Sequence, residues 1–158
     1  MIKLACSFIY GSLLTMVFAI NTGGMIGQGN LEKELLEVEN RITAAYLSKN
    51  LEAFFQDSDP EMTAFHASNP YRVDERRQIH DALKTFYKDS SPTGLYKLQS
   101  RVQIYGDAAI VTYHFVETGG AENGKLYAYD GKQTDVFIRK NGRWTLVHFH
   151  SSRVVKPN

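Results

Sequence analysis

"TDVFIRKNGRWTLVHFHSS" (Thr134–Ser152) contains two runs of strand-forming residues joined by Asn141-Gly142. Asn-Gly between such runs predicts a two-residue hairpin, because both residues tolerate the positive φ that a tight right-twisted turn demands. If Lys140 pairs Arg143, a regular ladder sets Arg139 against Trp144, Phe137 against Leu146 and Asp135 against His148. Alternation then gives one face Asp135, Phe137, Arg139, Trp144, Leu146, His148, His150 and Ser152. The other face carries Val136, Ile138, Thr145, Val147 and Phe149.

Working back from the hairpin, the period stays at two. "LYKLQSRVQIYG" (Leu95–Gly106) and "DAAIVTYHFVETG" (Asp107–Gly119) read as strands, and "LYAYDGKQTDVFIRK" (Leu126–Lys140) as the strand that enters the hairpin. Gly106-Asp107 and Gly119-Gly120 are expected turns. Upstream of "SSPTG" the pattern becomes helical. "LEKELLEVENRITAAYLSK" (Leu31–Lys49) repeats Leu31, Leu35, Val38, Ile42, Ala45 and Tyr46 at helical spacing, with Asn30 as expected N-cap. "NLEAFFQDS" suggests a short helix capped by Asn50, "MTAFHA" (Met62–Ala67) a short strand, and "DERRQIHDALKTFYKD" (Asp74–Asp89) a further helix. Helices followed by an antiparallel meander define an α+β class, with the long helix burying its stripe on the sheet.

The 158 residues fit one domain, and 43% hydrophobic with 22% charged residues is ordinary globular usage. A formal charge of +1 gives no field for steering nucleic acid, and no basic run is interleaved with aromatics. Residues 1–19 read as a secretory signal: Lys3, an apolar run, and small Ala19 before the cut. Residues 20–30, Gly-rich, read as a flexible leader before a domain over 31–155. The expectation is a secreted or periplasmic protein without membrane attachment after cleavage. The sole cysteine, Cys6, lies in the signal, so the mature chain would have no disulfide or thiol nucleophile.

An Asp135–His148 pair would orient the imidazole and raise its basicity, as a general base needs; equally, it would satisfy a half-buried histidine. His148 and His150 at i, i+2 fall short of the ligands a metal site requires, and no metal or other cofactor is expected. Tyr113, Tyr127 and Tyr129 could donate hydrogen bonds in a pocket. No nucleophile elbow or phosphate loop occurs.

"SDPEMTAFHASNP" (Ser58–Pro70), "YGDAAIVTYHF" (Tyr105–Phe115) and Thr134–Ser152 together resemble the association (hub) domain of calcium/calmodulin-dependent protein kinase II. The resemblance extends to the wider SnoaL-like and nuclear-transport-factor-2-like superfamily. No protein-kinase motif is present, so kinase activity is not expected. The resemblance implies a cone-shaped, cystatin-like α+β barrel, with N-terminal helices packed on a strongly bent antiparallel sheet and a pocket at one end. It implies self-association as a homodimer or a larger ring. It also implies that Tyr46 faces the cone. Where the kinase hubs carry pocket arginines, this chain has Phe115, Asp135 and Ser151, so a neutral or cationic ligand is expected over an acidic one.

The expected function is small-ligand binding in the cone together with self-association. Asp135, His148, Tyr46 and Tyr113 would be polar pocket groups, Phe115, Trp144 and Leu146 the walls, and His150 a neighbouring contact. One alternative is an isomerase, dehydratase or cyclase with His148 as base and Asp135 as orienter. Another is an oligomerisation module with no ligand.

Overall fold

The computed structural model describes residues 23–154. The expected signal lies outside them. Helix α1 spans Gly23–Leu47, α2 Leu51–Phe54, strand β1 Ser58–Phe65 and β2 Val73–Asp74. Helix α3 covers Arg76–Asp89, followed by β3 Ser90–Tyr105, β4 Ala108–Ala121, β5 Leu126–Lys140 and β6 Arg143–Arg153. The six strands form one curved sheet in the order β2-β1-β6-β5-β4-β3. All neighbours are antiparallel except β1 and β6.

Several local expectations are corrected. The leader assigned to residues 20–30 is helical from Gly23, so Asn30 lies inside α1 and caps nothing. "SSPTG" opens β3. Gly119 and Gly120 sit inside β4, and the turn falls at residues 122–125. Gly119 has a packing role instead: a side chain there would collide with the Tyr127 ring and the Ser91 carbonyl. Two turn readings stand. Asn50 Oδ1 accepts from the Ala53 N–H at 3.0 Å as the α2 cap. Asn141 and Gly142 adopt φ of 51° and 76°, as their hairpin requires.

The first pairs of that hairpin are the expected ones: Lys140–Arg143, Arg139–Trp144 and Phe137–Leu146. Then the ladder skips. Val136 pairs His148, Asp135 pairs Phe149 and Thr134 pairs His150, leaving Val147 as an extra residue in β6. This β-bulge changes which side chains face inward. Trp144, Leu146, Phe149 and Ser151 are buried, while His148 and His150 lie on the outer face. The regular ladder would have exposed Phe149 and buried two imidazoles. Burying a phenylalanine is worth roughly 1.5–3 kcal/mol, and a buried polar ring without partners costs on the same order. The bulge therefore follows the burial preference of residues 148–151. It also bends β6, as do irregularities in β3 between Pro92 and Gly94 and between Leu98 and Arg101.

The core lies between α1 and the concave sheet face. Leu35 and Val38 of α1 pack with Met62, Val111, Phe137, Trp144 and Leu146. The β1 segment is tied to the hairpin by acids. Asp57 receives Arg41 Nη2 at 2.8 Å and Arg143 Nη2 at 3.0 Å, and Asp59 binds Lys140. The Lys140 contact, followed by the Glu61 backbone N–H, holds the Asp59 carboxyl below the usual range.

Candidate functional site

The concave face carries polar groups at regular intervals. On β4, alternation places Val111, Tyr113, Phe115 and Glu117 on the same side. Across from them on β5 lie Asp135, Gln133, Gly131 and Tyr129 in turn. Gly131 is required by this arrangement, because the Phe115 ring lies where a Cβ would stand. Helix α1 contributes Glu39 and Tyr46, one face of the helix together with Leu35 and Ile42. Glu39, Tyr46, Tyr113, Phe115, Glu117, Tyr129, Gln133 and Asp135 line a cavity, with Leu146, Phe149, Ser151 and His66 also in its wall. It holds about 100 Å³, well below the roughly 300 Å³ at which drug-sized sites begin, so its occupant must be small. A wider hollow of about 610 Å³ between α2 and α3, lined by Arg76, Arg77 and His80, is open surface without convergent buried groups.

Two carboxyl centres dominate the cavity. At the first, Glu39 and Asp135 are only 3% and 4% exposed. Lys97 Nζ donates to Glu39 Oε2 at 2.8 Å, and Gln133 Nε2 donates to Asp135 Oδ1 at 2.6 Å. Burial first, then the neighbouring Glu39 charge, pushes the Asp135 carboxyl well above its usual range. The Glu39 side chain beside Asp135 favours the protonated form too, and Glu39 Oε1 has no N–H or O–H donor among the described residues. Tyr113, beside the pair, is raised by burial and then by Asp135, so it stays a neutral phenol.

At the second centre, Glu117 is 3% exposed and receives three phenols. Tyr129 and Tyr46 donate to Oε2 at 2.7 and 3.1 Å, and Tyr127 donates to Oε1 at 3.2 Å. Burial and then the Glu117 charge raise all three phenols, Tyr127 to about 12, so each remains a donor at neutral pH.

The sequence-predicted site residues divide accordingly. Asp135, Tyr46, Tyr113 and Phe115 converge on the cavity, as does the expected wall Leu146. His148 and His150 do not. His148 Nδ1 lies 2.7 Å from Thr63 Oγ1, and both imidazoles flank the Phe65 ring on the outer face. Desolvation first, then His150 and Arg72, lower the His148 pKa, the opposite of a base supported by a carboxylate. The Asp135–His148 pair is thus corrected: the bulge at Val147 turns the two side chains to opposite faces. Trp144 is 2% exposed and belongs to the core, outside the cavity lining. Glu39, Glu117 and His66 went unassigned in the sequence reading, although Glu39 and Glu117 each interrupt an apolar stripe at the period of their own element. Among the described residues no cluster of three or more His, Cys, Asp or Glu could hold a metal.

The state of Asp135 carries a pH prediction. Its folded pKa is raised, so the native protein holds a proton that the unfolded chain releases. That contribution to stability is fully present below the ordinary aspartate range and is lost as pH rises through the folded pKa. A carboxamide at this position would mimic the protonated acid and still donate to Glu39. Asp135→Asn is therefore expected to flatten the fall in urea midpoint as pH rises above the ordinary aspartate range. An unchanged slope would mean Asp135 is ionised in the native state.

A helix-filled curved sheet with a pocket on its concave side defines the cystatin-like, nuclear-transport-factor-2-like class, and solved structures agree. A nuclear-transport-factor-2-like protein from Salmonella enterica has 22% identity and a TM-score of 0.75, covering 83% of this chain and 96% of its own. The association domain of the C. elegans kinase has 24% identity and a TM-score of 0.62, covering 80% and 98%. The chain belongs to the calcium/calmodulin dependent protein kinase II association domain family, whose model matches residues 31–155. The delta subunit of the type II kinase from Oryctolagus cuniculus is 27% identical over 124 residues, 77% of this chain and 23% of that subunit. The chain thus spans about a quarter of that relative's length.

Proposed function

We propose that this is an exported, self-associating cone domain that binds a small neutral or cationic ligand on its concave face. The observation that carries the ligand class is the polar content of the cavity: Glu39, Asp135 and Glu117 with several phenols, against a single lysine already committed to Glu39. With Asp135 protonated and Glu39 paired to Lys97, an anion entering there would still meet the Glu117 carboxylate, which has no ion pair among the described residues, in a poorly solvated space. Family membership supports self-association. So does the outer face, where Phe65, Tyr96, Leu98 and Tyr105 are exposed. Export rests on the apolar N-terminal run with its small residue at Ala19.

Native mass spectrometry of the protein recovered from an exporting host tests the three parts together. The expected species is a dimer or larger ring whose protomer mass lacks residues 1–19. Added small amines or amides should remain bound in the gas phase, while carboxylates of equal size should not. A monomer at micromolar concentration rejects self-association, an intact Met1 rejects cleavage, and preferential carboxylate binding rejects the ligand class.

A further inference from the structure

Glu117 has no ion pair among the described residues: no lysine, arginine or histidine nitrogen there lies within ion-pair distance of it, although it is almost fully buried. Asp135 also lacks an ion pair, but burial favours its neutral form; the remaining buried acids differ, since Glu39 has Lys97, Asp57 has Arg41 and Arg143, and Asp59 has Lys140. Three phenols satisfy three of the roughly four acceptor positions of a carboxylate, leaving one open on Oε1.

The walls around it are aromatic. The Tyr127 and Tyr129 rings stack at 6.0 Å, and Phe115 meets Tyr129 edge-on at 6.1 Å. One cation already stands at this wall. Arg153, near the end of β6 and paired to Gly131, puts its guanidinium carbon 4.3 Å from the Tyr129 centroid. It reaches the ring without reaching Glu117, and it is exposed, so a competitor could displace it at little cost.

We propose that Glu117 with Tyr46, Tyr127 and Tyr129 is a guanidinium-binding site, and that Arg153 covers its outer wall until a ligand displaces it. The ligand class is a small compound with a planar guanidinium group. Such a group can give an N–H to the open position on Glu117 Oε1 while its plane lies on Tyr129, combining the carboxylate and ring contacts that guanidinium geometry matches. The proposal rests on the reading of the cone as a ligand pocket and narrows its ligand.

The test is isothermal titration of the full protein at constant ionic strength with methylguanidinium and with its neutral isostere, N-methylurea. Methylguanidinium is expected to bind wild type and N-methylurea to bind much more weakly. Arg153→Ala, an exposed change, should tighten methylguanidinium about tenfold by removing the resident competitor. Glu117→Gln keeps the shape, and should abolish the preference for the cation. The proposal is overturned if Arg153→Ala leaves the affinity unchanged or weakens it, or if the two probes bind alike to wild type. Should Glu117→Gln fail to fold, the probe comparison and Arg153→Ala decide alone. Equal binding of both probes removes the guanidinium site yet leaves the cone as a ligand pocket. Binding of neither, here or among the amines and amides tested above, removes both.

Discussion

Phe149→Ala is expected to lower stability by about 3 kcal/mol or more, while His148→Ala lowers it by no more than about 1 kcal/mol. Phe149 is 8% exposed and belongs both to the core and to the cavity wall. Its truncation loses transfer energy and leaves a void that rigid neighbours fill only in part. His148 stands half-exposed on the outer face, where the change removes one contact with Thr63 and part of the Phe65 edge. In an unbulged hairpin the two residues exchange places and the two costs exchange with them. Urea denaturation of both variants therefore reads the bulge directly. A larger loss for His148→Ala than for Phe149→Ala would disprove the register.

Trp144→Ala is expected to cost about 3–5 kcal/mol, a large share of the roughly 5–15 kcal/mol that holds a domain together. The indole is among the largest fully buried side chains. Packing does most of the holding, since Nε1 has no hydrogen-bond partner among the described residues and Arg139 lies 5.7 Å from the ring centre. Trp144→Phe retains most of the volume and should lose much less. Trp144 is the only tryptophan, so circular dichroism replaces tryptophan fluorescence for following the unfolding. A loss under about 1 kcal/mol would place the side chain outside the core.

The candidate site was partly legible. Asp135, Tyr113 and Phe115 follow from strand alternation, and Tyr46 from helical spacing. Glu39 stands one turn from Leu35 and from Ile42, and Glu117 two residues from Phe115, so each acid sits where a core residue belongs. His148 attracts a catalytic reading because a regular ladder sets it across from Asp135, but an acid on an apolar stripe is the stronger sign of a buried polar centre. The meeting of Glu39 with Asp135 was not legible, nor that of Glu117 with Tyr46. Helix α1 can lie on the sheet at many angles, and only the packing of Leu35, Val38 and their neighbours selects one.

Taken by itself, the sequence determined the α+β class, the long amphipathic helix, the meander and the Asn141-Gly142 turn. Each depends on residues close along the chain, through periodicity or the φ preferences of two adjacent residues. Tertiary structure decided the bulge at Val147, and with it the direction of every side chain beyond Leu146. A one-residue slip in a strand inverts both faces while changing little in the local backbone. What separates the two registers is whether Phe149 or the imidazoles go beneath α1, and only the assembled core expresses that difference.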